Sequence, residues 1–137
     1  MTTELLAQVT TGLARAGRVI RPGAPDELLI EEAGAATVLV VDHRVGAARA
    51  AVFLVRICDE RAVPARRVLT VAGQMGAGAL ALVGGSYVVR FAIPAAQLQA
   101  VALPGVLGYV RDLAAALAAE FAAIAPRDSA AFAHLAS

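Results

Sequence analysis

Apolar positions recur at spacings of three and four near the start of the chain. Leu6, Val9 and Leu13 share one side of Glu4–Ala16, while Gln8, Thr11 and Arg15 fill the other. This pattern predicts an amphipathic first helix, with Gly17 as its C-terminal stop. The segment Arg21-Pro22-Gly23-Ala24-Pro25-Asp26 reads as a connector, because two prolines and a glycine break both helix and central strand. Three strands follow at Glu27–Glu31, Ala36–Asp42 and Ala50–Cys58, rich in Val, Ile, Leu and Phe. The short gaps between them imply an antiparallel meander. In the third strand Ala51, Phe53, Val55 and Ile57 share one face, and the other carries Ala50, Val52 and Leu54 before Arg56. A strand apolar on both faces needs a cover layer on each.

Pro64 suits the first turn of a middle helix running through Arg66, Arg67, Val68, Val71, Ala72 and Met75. Ala79–Val83 and Tyr87–Ile93 read as a hairpin across Gly84-Gly85, ended by Pro94. After Pro104-Gly105, one stripe of Val106, Val110, Leu113, Leu117, Phe121 and Ile124 lies opposite Arg111 and Glu120. It predicts a long final helix that stops before Pro126. The expected fold is therefore α+β: a five-stranded antiparallel sheet with three helices in the order α-β-β-β-α-β-β-α. At 137 residues the chain suits one domain. The domain is expected over 1–125, followed by a short mobile tail at 126–137.

Composition narrows the function classes. All twelve basic residues are arginine, and eleven acidic residues bring the formal charge to +1. No global field therefore draws the chain to nucleic acid or to an anionic membrane. Arg44, Arg49, Arg56, Arg61, Arg66 and Arg67 concentrate basic charge in one third of the chain. They offer contacts for phosphates or an acidic partner, but the one aromatic residue nearby, Phe53, reads as core and not as a stacking platform, which leaves single-stranded nucleic acid the minority reading. The single cysteine, Cys58, cannot form an internal disulfide, and the N-terminal residues lack the pattern of a signal peptide, so a cytoplasmic location is expected. The uncharged run Val68–Val89 is long enough to span a bilayer as a helix. Its Gly73, Gly76, Gly78 and Gly84-Gly85-Ser86 argue instead for turns and strands, and no membrane association is expected.

No residue constellation points to catalysis. Gly76, Gly78 and Ala81 reproduce a Gly-x-Gly-x-x-Ala spacing, but Gly84-Gly85 breaks the helix that a dinucleotide site needs after it. The acidic ribose partner is also missing before Asp112. Asp42 and His43 are adjacent, so on a strand they point to opposite faces, and Asp42-His43-Arg44 reads as a solvated turn. Two scattered histidines and one cysteine give no metal-ligand spacing. Ser86, Ser129 and Ser137 lack a nucleophile-elbow context. Asp26, Glu27, Glu31 and Glu32 around the first strand read as edge charge that discourages aggregation. No cofactor is expected.

Three segments carry a resemblance to a known family. With the order of elements above, Arg67-Val68-Leu69, the run Gly76-Ala77-Gly78-Ala79-Leu80-Ala81-Leu82 and the strand Tyr87-Val88-Val89-Arg90-Phe91-Ala92-Ile93-Pro94 resemble the YbjN family and the related type III secretion chaperones. The likeness runs from Leu5 to about Ala125. It implies a five-stranded antiparallel sheet packed against helices, a homodimer, and an activity of binding partner proteins without catalytic residues. Secretion chaperones of this class are usually acidic, so a chain at +1 sits nearer the YbjN side.

The expected function is that of a homodimeric, non-enzymatic adaptor or chaperone-like protein, whose partners are a second copy and a client polypeptide. A second copy supplies the missing cover layer. The expected dimer interface is the middle helix and adjoining hairpin, with Val68, Val71, Met75, Leu80 and Leu82. The rival expectation is a ligand-sensing domain with a pocket between the sheet and the last helix.

Overall fold

The structure is a computed structural model that describes residues 3–14, 19–32 and 34–136, with side chains as far as Ala123. Its strands are β1 (Val19–Pro22), β2 (Glu27–Glu31), β3 (Val38–Val45), β4 (Ala48–Asp59), β5 (Ala79–Val83) and β6 (Ser86–Pro94). They form one antiparallel sheet in the order β1-β2-β3-β4-β6-β5. Its helices are α1 (Glu4–Ala14), α2 (Ala65–Ala72) and α3 (Leu103–Ala136), and a 3-10 turn at Ala95–Ala100 joins β6 to α3. Short turns make β1 to β4 a meander. The crossover through α2 then places β5 at the far edge, and the Gly84-Gly85 turn brings β6 back beside β4. Both turn glycines have positive φ, 55° and 78°, the backbone that a two-residue hairpin of this hand requires.

The α+β class and antiparallel meander agree with expectation, but the sheet has six strands where five are expected. The added strand, β1, takes in Arg21 and Pro22, which the sequence pattern assigns to a connector. It pairs with β2 from Val19↔Glu31 to Pro22↔Leu28. Proline is tolerated there because β1 is an edge strand, whose outward N–H groups have no ladder partner to lose.

A second difference concerns Asp42-His43-Arg44. These residues continue β3 instead of turning, and the hairpin closes later, at Gly46-Ala47 between the paired Val45 and Ala48. Gly46 supplies the positive φ, 61°. Two helix ends also differ. α2 stops at Ala72, with Gly73 as its C-cap, so Met75 lies beyond it. α3 continues past Pro126 to Ala136; the alanines around the proline carry the highest helix propensity of any residue, which offsets part of its cost. The tail expected at 126–137 falls on residues whose side chains lie outside those described.

The core occupies one face of the sheet. Ile30, Val38, Val40, Phe53, Val55 and Val89 are fully buried there against Leu6, Val9 and Leu13 of α1 and Leu107, Val110 and Phe121 of α3. α3 crosses β4 and β6, and α1 packs on β3 and α3. Thr3 caps α1, its Oγ1 accepting from the Leu6 N–H at 3.3 Å. Burying each large aliphatic or aromatic side chain contributes about 1.5–3 kcal/mol, so this layer dominates the stability of the fold.

Among the described residues two charged side chains are buried, Asp42 and Arg111, at opposite margins of the core. Arg49 donates to Asp42 through Nε at 2.9 Å and Nη2 at 2.6 Å. Arg111, on α3, donates to the Ala36 carbonyl at 2.9 Å, the Glu32 carboxylate at 2.6 Å and the Ile30 carbonyl at 3.4 Å. It thereby fastens the β2–β3 connection to the last helix.

Candidate functional site: the open face of the sheet

Side chains on a strand alternate between faces, and burial here alternates with them. Along β2 and the first half of β3, every second residue is buried and the residues between are only partly covered. The partly covered set, Leu29 on β2, Leu39 and Val41 on β3 and Leu54 on β4, lies outside the helix-covered core. Val52 and Val88 share this face; they too stand apart from the core, although they are only 4% and 6% exposed.

The register turns these residues into a continuous patch. One row runs Leu29, Leu39, Leu54, Arg90 from β2 to β6. The next runs Glu27, Val41, Val52, Ala92. Among the described residues all helical packing is on the opposite face, so the patch is an apolar field without a second layer. Charged residues border it. Glu27 and Glu31 stand on β2, and Arg56 and Arg90 stand on β4 and β6. Arg21 pairs with Glu31 at 2.5 Å, and Arg56 donates through Nε to Ser86 Oγ at 3.0 Å. A shallow cleft of about 220 Å³ between Leu39, Leu54, Val83 and Val88 indents one end of the field.

The five residues expected at a dimer interface are placed mainly on the other side. Val68 is 4% exposed inside the core, and Val71, Met75 and Leu80 are half-buried against it. Leu82 alone among them is largely exposed, at 55%. Val68 already packs inside its own fold as the buried position of α2, while Leu69 beside it faces outward. The open face was legible in the two-sided apolar character of Ala50–Cys58; the strands flanking it were not.

Space between the sheet and α3, where the rival reading puts a ligand, is filled by Leu107, Val110, Ala114 and Leu117. Cavities lie at its margins. One of about 350 Å³ opens between the β2–β3 connection and α3, beside Arg111 and Ala115. Another, of about 630 Å³, separates α1 from the start of α3 and is lined by Glu4, Gln8, Thr11, Leu98 and Leu103.

Among the described residues, groups with chemical capacity do not converge. Asp42 is buried with Arg49, while its neighbour His43 is exposed on the other face. Burial pushes the Cys58 thiol above its ordinary pKa, which lowers its thiolate fraction. Among the described residues no three His, Cys, Asp or Glu side chains gather as a metal site. The arginines of the central third are distributed: Arg49 on the helix-covered face, Arg56 on the open face, Arg66 and Arg67 on α2. The Gly76-x-Gly78 spacing belongs to a connection held against α3, where Tyr109 donates to the Ala77 carbonyl at 3.1 Å. Gly78 has a φ of 83° and abuts the Arg90 carbonyl, which accounts for the glycine by backbone geometry.

No helix among the described residues is long and apolar enough to cross a membrane. No family model matches the chain, and searches of curated proteins and of solved structures return no significant match.

Proposed function

We propose that the chain is a non-enzymatic, homodimeric adaptor or chaperone-like protein of the YbjN and type III secretion chaperone kind, acting on client polypeptides in the cytoplasm. The observation that carries its homodimeric part is the open apolar face of the sheet, with Leu29, Leu39, Val41, Val52, Leu54 and Val88 outside the helix-covered core. Contiguous apolar surface of this kind marks sites where another polypeptide packs. The order of elements supports it as well. Setting aside the edge strand β1 leaves α-β-β-β-α-β-β-α, with β6 between β4 and β5.

Light scattering across a dilution series tests the oligomer, and affinity enrichment from the native host tests the client. A mass of twice 13.9 kDa with a reproducible co-purifying polypeptide is expected. A mass of 13.9 kDa throughout, or no polypeptide enriched over a control, overturns the reading.

A further inference from the structure

The open face carries charge in an arrangement that selects both its occupant and the occupant's orientation. On one side of the apolar field stand Glu27 and Glu31 on β2, Glu31 already paired with Arg21 of β1, and on the other stands Arg90 on β6. Between them lie β3 and β4. Among the described residues Glu27 and Arg90 form no ion pair, so these charges border an apolar surface without a mate inside the chain. An interface between two identical copies related by a two-fold axis must be complementary to itself. This patch is, for one choice of axis.

Two sheets stack face to face about 10 Å apart, with strands about 4.8 Å from their neighbours. An axis parallel to the strands and midway between β3 and β4 lays β3 of one copy over β4 of the other, and β2 over β6. Row for row, Leu29 then meets Arg90, and Glu27 meets Ala92. Glu31 falls over Val88, because Ile30 and Val89 share the preceding row. Positions two residues apart on a strand are about 7 Å from each other. Arg90 therefore sits between the Glu27 and Glu31 positions of the opposite copy, within reach of a long side chain on either. An axis perpendicular to the strands would instead lay β2 over β2 and β6 over β6. Glu27 would then face glutamates and Arg90 would face arginine, and like charges at an interface are strongly unfavourable.

We infer that the open face is the homodimer interface, closed by a second copy about a two-fold axis parallel to β3 and β4, with Arg90 of each copy set against Glu27 of the other. This rests on the homodimeric reading above and adds which face is used and which charges pair.

Complementary charge reversal tests it. The variants R90E and E27R are prepared separately, checked for fold by circular dichroism, and weighed by light scattering alone and mixed one to one. Each reversal replaces attraction with repulsion at both symmetric contacts, so each variant alone is expected to dimerise about tenfold or more weakly than wild type. Mixing restores opposite charge at both contacts, and the mixture is expected to return to wild-type strength as a heterodimer. A mixture that stays as weak as its components overturns the pairing. A wild-type dimer that neither variant disturbs overturns the proposed interface while the homodimeric reading stands. A monomeric wild type removes both. Should either variant fail to fold alone, recovery of the folded heterodimer on co-expression is the supporting outcome, and its absence counts against the proposal.

Discussion

Arg49 closes on Asp42 from the opposite strand of the β3–β4 hairpin, through two hydrogen bonds of 2.9 and 2.6 Å. The Asp42 carboxylate side chain is 2% exposed and that of Arg49 26%, so the pair is sheltered but still reaches water through the arginine. Arg49 holds the Asp42 carboxyl down at about 2 against an ordinary 3.8, with burial opposing and the Thr3 hydroxyl assisting. Two-point contact of this kind is stronger than a single charged hydrogen bond.

The depressed pKa fixes the sign of a pH effect. A carboxylate whose pKa is lower in the folded chain adds stability above its unfolded pKa and loses it as pH falls through the folded value. The contribution is therefore complete above pH 3.8 and disappears towards about pH 2. Asp42→Asn is expected to lower the unfolding free energy at pH 7 by about 2 kcal/mol. Urea unfolding at several pH values checks it: the gap between wild type and variant narrows below pH 4 and is constant from about pH 5 to 8.

Arg111 holds three acceptors at once, the Ala36 and Ile30 carbonyls and the Glu32 carboxylate. Truncation in Arg111→Ala removes these charge-assisted hydrogen bonds and the packing of a buried side chain, and a loss of about 2–4 kcal/mol is expected in chemical unfolding. Arg111→Lys recovers less than half of it, because an ammonium cannot reproduce the planar fork that spans separated acceptors.

Phe53 is fully buried on β4, between Val40 on β3 and Phe91 on β6. Its removal opens a cavity where sheet and helices meet. Phe53→Ala is expected to cost about 3–5 kcal/mol, read as a fall in Tm, whereas Leu39→Ala on the open face costs far less in the monomer.

Gly78 combines a φ of 83° with the Arg90 carbonyl 3.5 Å from where a Cβ would stand. Gly78→Ala is expected to destabilise by about 1–2 kcal/mol. Gly76→Ala, where a Cβ meets nothing within 4 Å, serves as the control and leaves Tm within about a degree or two.

How much of this was legible in the chain differs from element to element. The Gly84-Gly85 hairpin was readable because a two-residue turn with positive φ nearly names its residues. The stripe from Val106 to Phe121 was readable because four turns of period 3.6 leave little alternative. Strand β1 was not, since four residues ending in proline carry almost no pattern and become a strand only when β2 offers its edge. The Asp42–Arg49 contact was hidden too: it depends on where the β3–β4 turn falls, and moving that turn by one residue would send the two side chains to opposite faces.

The class of fold, the meander, the returning hairpin and the need of Ala50–Cys58 for cover on both faces follow from local periodicity and turn chemistry. Which cover is missing emerges from packing in three dimensions. Local patterns state that a surface is apolar; which helices reach it depends on the packing of α1 and α3 against the same side of the sheet. That choice placed Val68 inside the core and left Leu29, Leu39 and Leu54 between a glutamate edge and an arginine edge. The opposition of those two edges is a property of register across strands far apart in the chain, and no stretch of sequence contains it.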